Sequence, residues 1–165
     1  MAVTEESVRV HRRLPIEGVA CRAFLSANQE NITSSAWVKV NLNLVDYDLG
    51  KNFDTSLYKF TVPVTGLYHI IGQVYFSSSG VQADKRYLVG IYKNGSIIGE
   101  ASVHASIADN VSVSYGDELY LVKDNYIELY AYTTGTGNTV DILGSATLAY
   151  TRLVIRLITK EGIRQ

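Results

Sequence analysis

The sequence has few residues that form cross-links or interrupt secondary structure, and it has no long apolar segment that would insert into a membrane. It contains two prolines and one cysteine among 165 residues, and the single cysteine, Cys21, excludes an intrachain disulfide. No stretch approaches the roughly 18 apolar residues of a membrane helix, so we expect no membrane partner. The first residues, MAVTEESVRVHRR, are charged throughout, and we expect no secretory signal. No Gly-x-y repeat that would form a collagen-like stalk is present either.

Patterns that carry catalysis or bind metals are also missing. There is no Gly-x-Ser-x-Gly nucleophile motif and no pair of ligands at zinc spacing. His69 and His104 stand alone on strand-like patterns. Asp46 and Asp48, with Asp54 nearby, could hold a calcium ion, but we favour their interpretation as turn formers. We therefore expect no enzyme activity, no metal and no cofactor, and the lack of a basic face interleaved with aromatics predicts no nucleic-acid partner.

What the sequence does have is strand-forming residues, including 12 tyrosines. From Phe24 onward, short apolar or alternating runs are separated by turn signals. Examples are AWVKVNLNLV (36–45), GLYHIIGQVYFS (66–77), RYLVGIYKNGSIIGEASV (86–103) and YIELYAYTT (126–134). Asn94-Gly95 is a strong hairpin signal, and Pro63 predicts the end of a strand or an edge position. Because no segment has a sustained helical period, we predict an all-β sandwich or barrel.

One stretch resembles a known family. The spacing of five residues, Asp48, Phe53, Phe60, Gly66 and Tyr68, is similar to the signature of the globular head domain of the complement first component, subcomponent q. The resemblance covers about residues 24–158 and implies a tumour necrosis factor-like jelly roll of about ten antiparallel strands, assembled as a homotrimer. We expect the three aromatic residues to fill the layer between the sheets. We expect the glycine to supply a turn conformation that a side chain would resist.

The tyrosines also bear on assembly. They exceed what one sandwich core usually needs, and aromatic residues are enriched in the buried parts of interfaces. Our candidates for the trimer interface are Tyr75, Tyr126, Tyr130, Tyr132 and Tyr150. The alternative is that these side chains cover strand surface with their hydroxyl groups in water.

The ends of the chain differ in charge from its body. Residues 23–149 carry a net charge of −5, whereas residues 1–22 carry +1 and residues 150–165 carry +3. We divide the chain into an extended N-terminal arm (1–22), a jelly-roll domain (23–159) and a short basic tail (160–165). Basic ends on an acidic body predict docking on an acidic surface, although simple solvation of the ends is an equal alternative. The candidate anchoring residues in the arm are Val8, Arg12, Arg13, Leu14 and Ile16.

Two functions compete for such a chain. The first is a non-enzymatic, trimeric structural protein of a virion, most simply a decoration or cement protein on the surface of a bacteriophage capsid. Its partners would be its own copies and the major capsid protein or another virion protein. The second is a receptor- or glycan-binding head of a phage fibre or bacterial surface protein, located outside or on the surface of the cell. Its ligand would bind to the loops at 77–86 and 133–141.

Overall fold

The computed structural model describes residues 18–134 and 139–162. These residues form thirteen strands in two antiparallel sheets and contain no helix, so none that could span a membrane. The strands are β1 (Ala20–Phe24), β2 (Gln29–Ile32), β3 (Val38–Lys39), β4 (Leu44–Leu49), β5 (Phe53–Asp54), β6 (Lys59–Thr61), β7 (Gly66–Phe76), β8 (Arg86–Lys93), β9 (Ser96–His104), β10 (Val111–Leu121), β11 (Tyr126–Thr133), β12 (Val140–Ile142) and β13 (Arg152–Lys160). The predicted all-β sandwich is confirmed. The strands outnumber the ten expected because several have only two to four residues.

Sheet A is built around β7. Its order is β2-β12-β7-β13-β1-β4, and β10 also pairs with β7. Along β7, buried and half-buried residues alternate without interruption, because successive side chains of a strand point to opposite faces. Even-numbered residues of β7 point into the core and odd-numbered residues point outward.

Sheet B has the order β5-β6-β11-β8-β9, and β3 pairs with β11. Strands β8 and β9 are joined by Asn94 and Gly95, whose φ angles are 52° and 79°. Two consecutive positive φ angles are typical of a type I′ turn, whose twist matches that of the flanking strands. The hairpin predicted from this dipeptide is therefore confirmed.

The segment AWVKVNLNLV is not the single strand that its alternation predicts. It is divided between β3 in sheet B and β4 in sheet A. Val40 and Leu42, which lie between the two strands, are fully buried. Leu44 was expected on the same buried face but is 39% exposed. The alternation fails there because the chain has crossed from one sheet to the other.

The aromatic residues of the signature occupy the layer between the sheets to different extents. Phe60 and Tyr68 are fully buried, and the Tyr68 hydroxyl donates a hydrogen bond to the carbonyl oxygen of Val64 at 2.7 Å. Phe53 is half-buried and packs against the core. Asp48, which we expected in a turn, lies in β4 opposite Cys21, and its Oδ2 accepts a hydrogen bond from the Phe53 N–H at 2.8 Å. The side chain of Asp48 thus fixes the backbone that positions Phe53.

Gly66 requires a correction. We expected it to supply a turn conformation, but it is the first residue of β7 and its φ angle is not positive. A Cβ atom at this position would lie 2.3 Å from the carbonyl oxygen of Thr159 on the neighbouring β13. The glycine is needed because two backbones approach each other closely here.

The N-terminal boundary of the sheets also differs from our division of the chain. Residues 20–22, which we assigned to the arm, belong to β1 and pair with β13 and β4. Burial explains this, because Cys21 lies in the hydrophobic core. At the other end, β13 continues to Lys160. The anchoring candidates Val8, Arg12, Arg13, Leu14 and Ile16 lie outside the described residues.

Candidate functional site

The outward-facing side chains of sheet A form one surface, here called face A. Across its middle, Ile71 of β7 is paired on one side with Val154 of β13 and on the other with Gly116 of β10. Val154 is in turn opposite Arg22 of β1, which is opposite Tyr47 of β4. In this row, Ile71, Val154 and Tyr47 place apolar or aromatic side chains on three of the five strands, Arg22 lies among them, and Gly116 has no side chain.

Face A leaves large apolar side chains in contact with solvent. Those at its edges are between 37% and 53% exposed, and they are Leu44, Tyr47, Leu49, Tyr120 and Tyr150. Tyr150 packs against Tyr75 with 5.3 Å between ring centroids. Single exposed apolar residues are ordinary, but a contiguous group on one face is typical of a surface that contacts another protein.

Charged residues are distributed among these apolar ones. Arg22 and Asp46 form an ion pair with a 3.0 Å separation, and both side chains are substantially exposed. His69 of β7 lies opposite Arg156 of β13 and Glu118 of β10. The His69 Nδ1 atom is buried and has no hydrogen-bond partner among the described residues, since the Glu118 carboxylate is 3.8 Å away. Face A therefore combines exposed apolar side chains with polar and charged ones.

The outward-facing side chains of sheet B form a different surface, here called face B. On β11, Tyr126, Tyr130 and Tyr132 are half-buried, whereas the alternate residues Ile127, Leu129 and Ala131 are fully buried. Their aromatic neighbours are Trp37, which precedes β3, and Tyr92 of β8. Neither residue was among our interface candidates, although the alternation of side chains in their segments places both on the outer face.

The aromatic rings of face B pack against one another. Tyr92 and Tyr130 stack with 3.9 Å between centroids and 27° between planes. Trp37 contacts Tyr132 at 5.3 Å and Tyr92 at 5.9 Å, the latter edge to face. Trp37 also covers Gly90, where an added Cβ would lie 2.7 Å from the indole ring. These contacts fix the orientation of the rings before any partner binds.

An ion pair lies on the same face as the rings. Glu128 of β11 is only 6% exposed, and its carboxylate is 2.5 Å from the Lys39 ammonium, which also donates a hydrogen bond to the carbonyl oxygen of Leu57. Burial, followed by the charge of Glu128, raises the pKa of Tyr130 above its ordinary value. Burial, followed by the charge of Glu100, raises the pKa of Tyr92. Both hydroxyl groups are therefore protonated donors at neutral pH.

The five tyrosines predicted for one trimer interface do not share a surface. Tyr75 and Tyr150 belong to face A, whereas Tyr126, Tyr130 and Tyr132 belong to face B on the opposite side of the sandwich. Tyr75 and Tyr150 contact each other, whereas Tyr130 and Tyr132 contact Tyr92 and Trp37. Their distribution between two faces means that they need separate functional interpretations.

The two ends of the sandwich also differ. At one end, the described chain begins at Gly18 beside the end of β13, and the N–H of Leu157 bonds to the carbonyl of Val19 at 2.8 Å. Gly18, Val19 and Lys160 line a pocket of about 460 Å³ at this end. At the opposite end, the loops that we assigned to receptor binding meet, since the Thr134 N–H bonds to the carbonyl of Arg86. Residues 135–138 of the second loop lie outside the described part.

The acidic residues considered for calcium are engaged in other contacts. Asp54 accepts hydrogen bonds from Ser56 and Leu57, which lower its pKa, and Asp46 pairs with Arg22. Within residues 18–134 and 139–162, no group of three or more potential ligands is placed to hold a metal ion. Burial, followed by the charge of Asp48, raises the pKa of the Cys21 thiol to about 12, so this thiol is protonated and unreactive at neutral pH.

Comparison with known proteins supports the fold. No protein-family model matches the chain, and no curated protein matches it. Among solved structures, the globular domain of the zebrafish complement 1qA protein is similar at a TM-score of 0.63 and 14% identity, over 87% of this chain and 99% of that one. A tumour necrosis factor, Eiger from S. frugiperda, is similar at 0.64 and 10% identity, over 90% and 98%. Murine APRIL, in its pH 8.5 crystal structure, is similar at 0.59 and 14% identity, over 86% and 99%.

The chain has the jelly-roll fold of the C1q and tumour necrosis factor domains. The resemblance stated from the sequence is therefore confirmed for the fold, over nearly the whole chain. Identities of 10–14% do not extend the likeness to ligands or partners, because one fold supports many functions.

Proposed function

We propose that the protein is a non-enzymatic trimer that assembles through face A. The observation that carries this proposal is the group of apolar and aromatic side chains on the outside of sheet A. Ile71 and Val154 are paired at its centre, and the exposed members around them are Leu44, Tyr47, Leu49, Tyr120 and Tyr150. Covering such a surface with another copy removes apolar area from water, which is the main driving force of association. A trimer is also what the resemblance to C1q-like jelly rolls implies. Rotation about a threefold axis would place one face A in contact with the neighbouring copies.

Sedimentation of an Ile71→Arg variant tests this assembly. The arginine would place an unpaired charge at the centre of the covered surface, and such a charge is costly to bury. We expect wild-type protein to sediment as a trimer and the variant as a folded monomer. Ile97→Arg is the matched control, because Ile97 is an outward residue of sheet B, 41% exposed. A monomeric wild type, or a variant that still forms trimers, would contradict the proposal.

We further propose that the trimer is a decoration protein on a bacteriophage capsid. Support comes from Gly18 and Lys160, which line the same pocket and so bring the first and last described parts of the chain to one end of the sandwich. The basic arm and tail would then extend from the same end of an acidic body. Three arms and three tails on one trimer would bind a capsid lattice multivalently, so that weak individual contacts suffice.

Deletion of residues 1–17 tests the role of the arm. The deletion spares Gly18 and all of β1, so the trimer should remain intact in sedimentation. We expect the truncated trimer not to co-sediment with undecorated capsids, whereas the full chain does. Decoration by the truncated trimer would exclude anchoring by the arm. Failure of the full chain to bind any capsid would exclude the virion role but leave trimer formation through face A unaffected.

A receptor-binding head is the second candidate. The observation that favours it is that the loops at 77–86 and 133–141 meet at the end opposite to the chain ends. A fibre head would be anchored to the fibre at one end and would bind its receptor at the opposite end. Alanine at both Gln82 and Lys85 should then reduce adsorption of the isolated protein to host cells. Unchanged adsorption, or no adsorption by the wild type, would remove this candidate.

A further inference from the structure

We propose that face B is a binding surface for uncharged glycans. Its centre consists of Trp37, Tyr92, Tyr130 and Tyr132, all half-buried, so each ring keeps an exposed part while its neighbours hold it. Pyranose rings present C–H groups on their faces and hydroxyl groups at their edges. Aromatic faces attract the former through dispersion and weak C–H contacts, and tyrosine hydroxyl groups bond to the latter.

The rigidity of the rings favours binding. Tyr130 lies between Lys39 of β3 and Gly90 of β8 in the strand register. Because Gly90 has no side chain, the indole of Trp37 lies over it and reaches Tyr92 on the far side. A ligand would meet rings that are already oriented, so little side-chain freedom would be lost on binding.

The charges around the rings indicate which ligands fit. Lys39 neutralises Glu128 on the same face, and Lys59 lies 4.8 Å from the centroid of Tyr126 at one margin. Glu100 lies opposite Gly90 at the other margin. Two basic and two acidic groups cancel, so the surface attracts neither polyanions nor polycations over long range. Complementarity with such a surface favours an uncharged ligand that has both apolar faces and hydroxyl groups.

A comparison with face A indicates why we assign a glycan, and not a second copy of the chain, to face B. The exposed side chains of face A include leucines that lack hydroxyl groups, and within the described residues the Nδ1 of His69 has no hydrogen-bond partner. These features suit another protein surface. On face B the aromatic rings contact one another and remain half-buried, and three of the four are tyrosines that carry a hydroxyl group. The glycan proposal therefore does not depend on assembly through face A.

The natural fluorescence of the protein gives a direct test. Trp37 is the only tryptophan, and it lies on face B, so its emission reports this surface without any mutation. Full-length wild-type protein would be titrated with cellohexaose, maltohexaose and chitohexaose. We expect a saturable change of emission with at least one of them, and none with a sulfated oligosaccharide. No change with any neutral oligosaccharide, or a change only with the sulfated one, would overturn the proposal.

Substitutions confirm the location. Tyr130→Ala and Tyr132→Ala each remove one ring and should weaken binding about tenfold, the scale of one lost stacking contact. Tyr130→Phe keeps the ring and should weaken binding less, and it provides the measurement if the alanine variant does not fold. Ile107→Ala removes an apolar side chain, 64% exposed, from the loop after β9 and should leave binding unchanged.

Two results with these variants would overturn the proposal. One is equal binding by the wild type and the folded ring variants, because the ligand would then lie elsewhere. The other is a monomeric sedimentation coefficient for Tyr132→Ala, because face B would then be a contact between copies.

Discussion

Face A and face B are built by the same alternation of side chains, but they differ in how far those side chains are buried by their neighbours. On face A, Leu49 and Tyr120 lie at the edges with about half of their surfaces in water. On face B, Tyr92 and Tyr130 are half-buried and stack on each other, and Glu128 on the same face is paired with Lys39. An outward position on a strand therefore does not define a role. What differs is how much of each side chain remains in contact with water.

The ion pairs of the two faces show the same contrast. On face B the Glu128 carboxylate is buried and paired with Lys39, whereas Arg22 and Asp46 are both more exposed on face A. Exposed pairs contribute little because water screens them, but removing one partner of a buried pair leaves an uncompensated charge. The faces should therefore respond very differently to the same chemical change.

The largest predicted effect is the loss of the Lys39 charge. Lys39→Met should lower the free energy of unfolding by about 3 kcal/mol, because Glu128 would remain buried without its cation. Arg22→Met, the matched change on face A, should cost less than about 1 kcal/mol. Urea unfolding at equal protein concentration measures both. Adding Glu128→Gln to Lys39→Met should restore most of the lost unfolding free energy. Equal losses in Lys39→Met and Arg22→Met would show that the buried pair contributes no more to stability than the exposed one.

A methyl group added to each face should have the next largest effect. In Gly90→Ala, the new Cβ would lie 2.7 Å from the indole of Trp37, and overpacking of this kind costs about 1–3 kcal/mol. In Gly116→Ala on face A, the nearest atoms are 3.6 Å away. We expect that variant to change stability by less than about 1 kcal/mol, in the stabilising direction, because alanine restricts the unfolded chain.

Urea unfolding and the emission spectrum of Trp37 distinguish the two glycine variants. Gly90→Ala should alter the emission, because the indole must move away from the strand, and Gly116→Ala should not. Identical effects of the two substitutions would mean that Trp37 does not lie against Gly90 as described.

Much of the fold could be predicted from local pattern. The alternation of β7, the turn at Asn94-Gly95 and the burial of Phe60 and Tyr68 all follow from short-range rules about strands, turns and aromatic residues. The division of residues 36–45 between two sheets does not, because an alternating segment looks the same whether or not it crosses the core. The close approach that requires Gly66 also involves a residue more than ninety positions later in the chain.

The candidate sites were less predictable than the fold. The tyrosines of β11 were evident in the sequence, but their ring contacts with Trp37 and Tyr92 depend on which strands are neighbours. The sequence pattern also could not separate Tyr75 and Tyr150 from the other three candidates, because the assignment to a face requires knowledge of the sheet. Long-range pairing, which a sequence does not display, decides both points.

The smallest predicted effect concerns ionisation of the tyrosines on face B. Burial raises the pKa of Tyr92 and Tyr130 from the ordinary value of 10.0. Folding therefore favours their protonated forms, so their contribution to stability is complete below about pH 10 and is lost as the pH rises above it. We expect the free energy of unfolding to fall more steeply above pH 10 in wild-type protein than in a Tyr92→Phe, Tyr130→Phe double variant. Phenylalanine does not ionise, and the other tyrosines are common to both proteins, so the difference isolates face B. Parallel pH profiles would show that these two hydroxyl groups are as accessible to water as those in the unfolded chain.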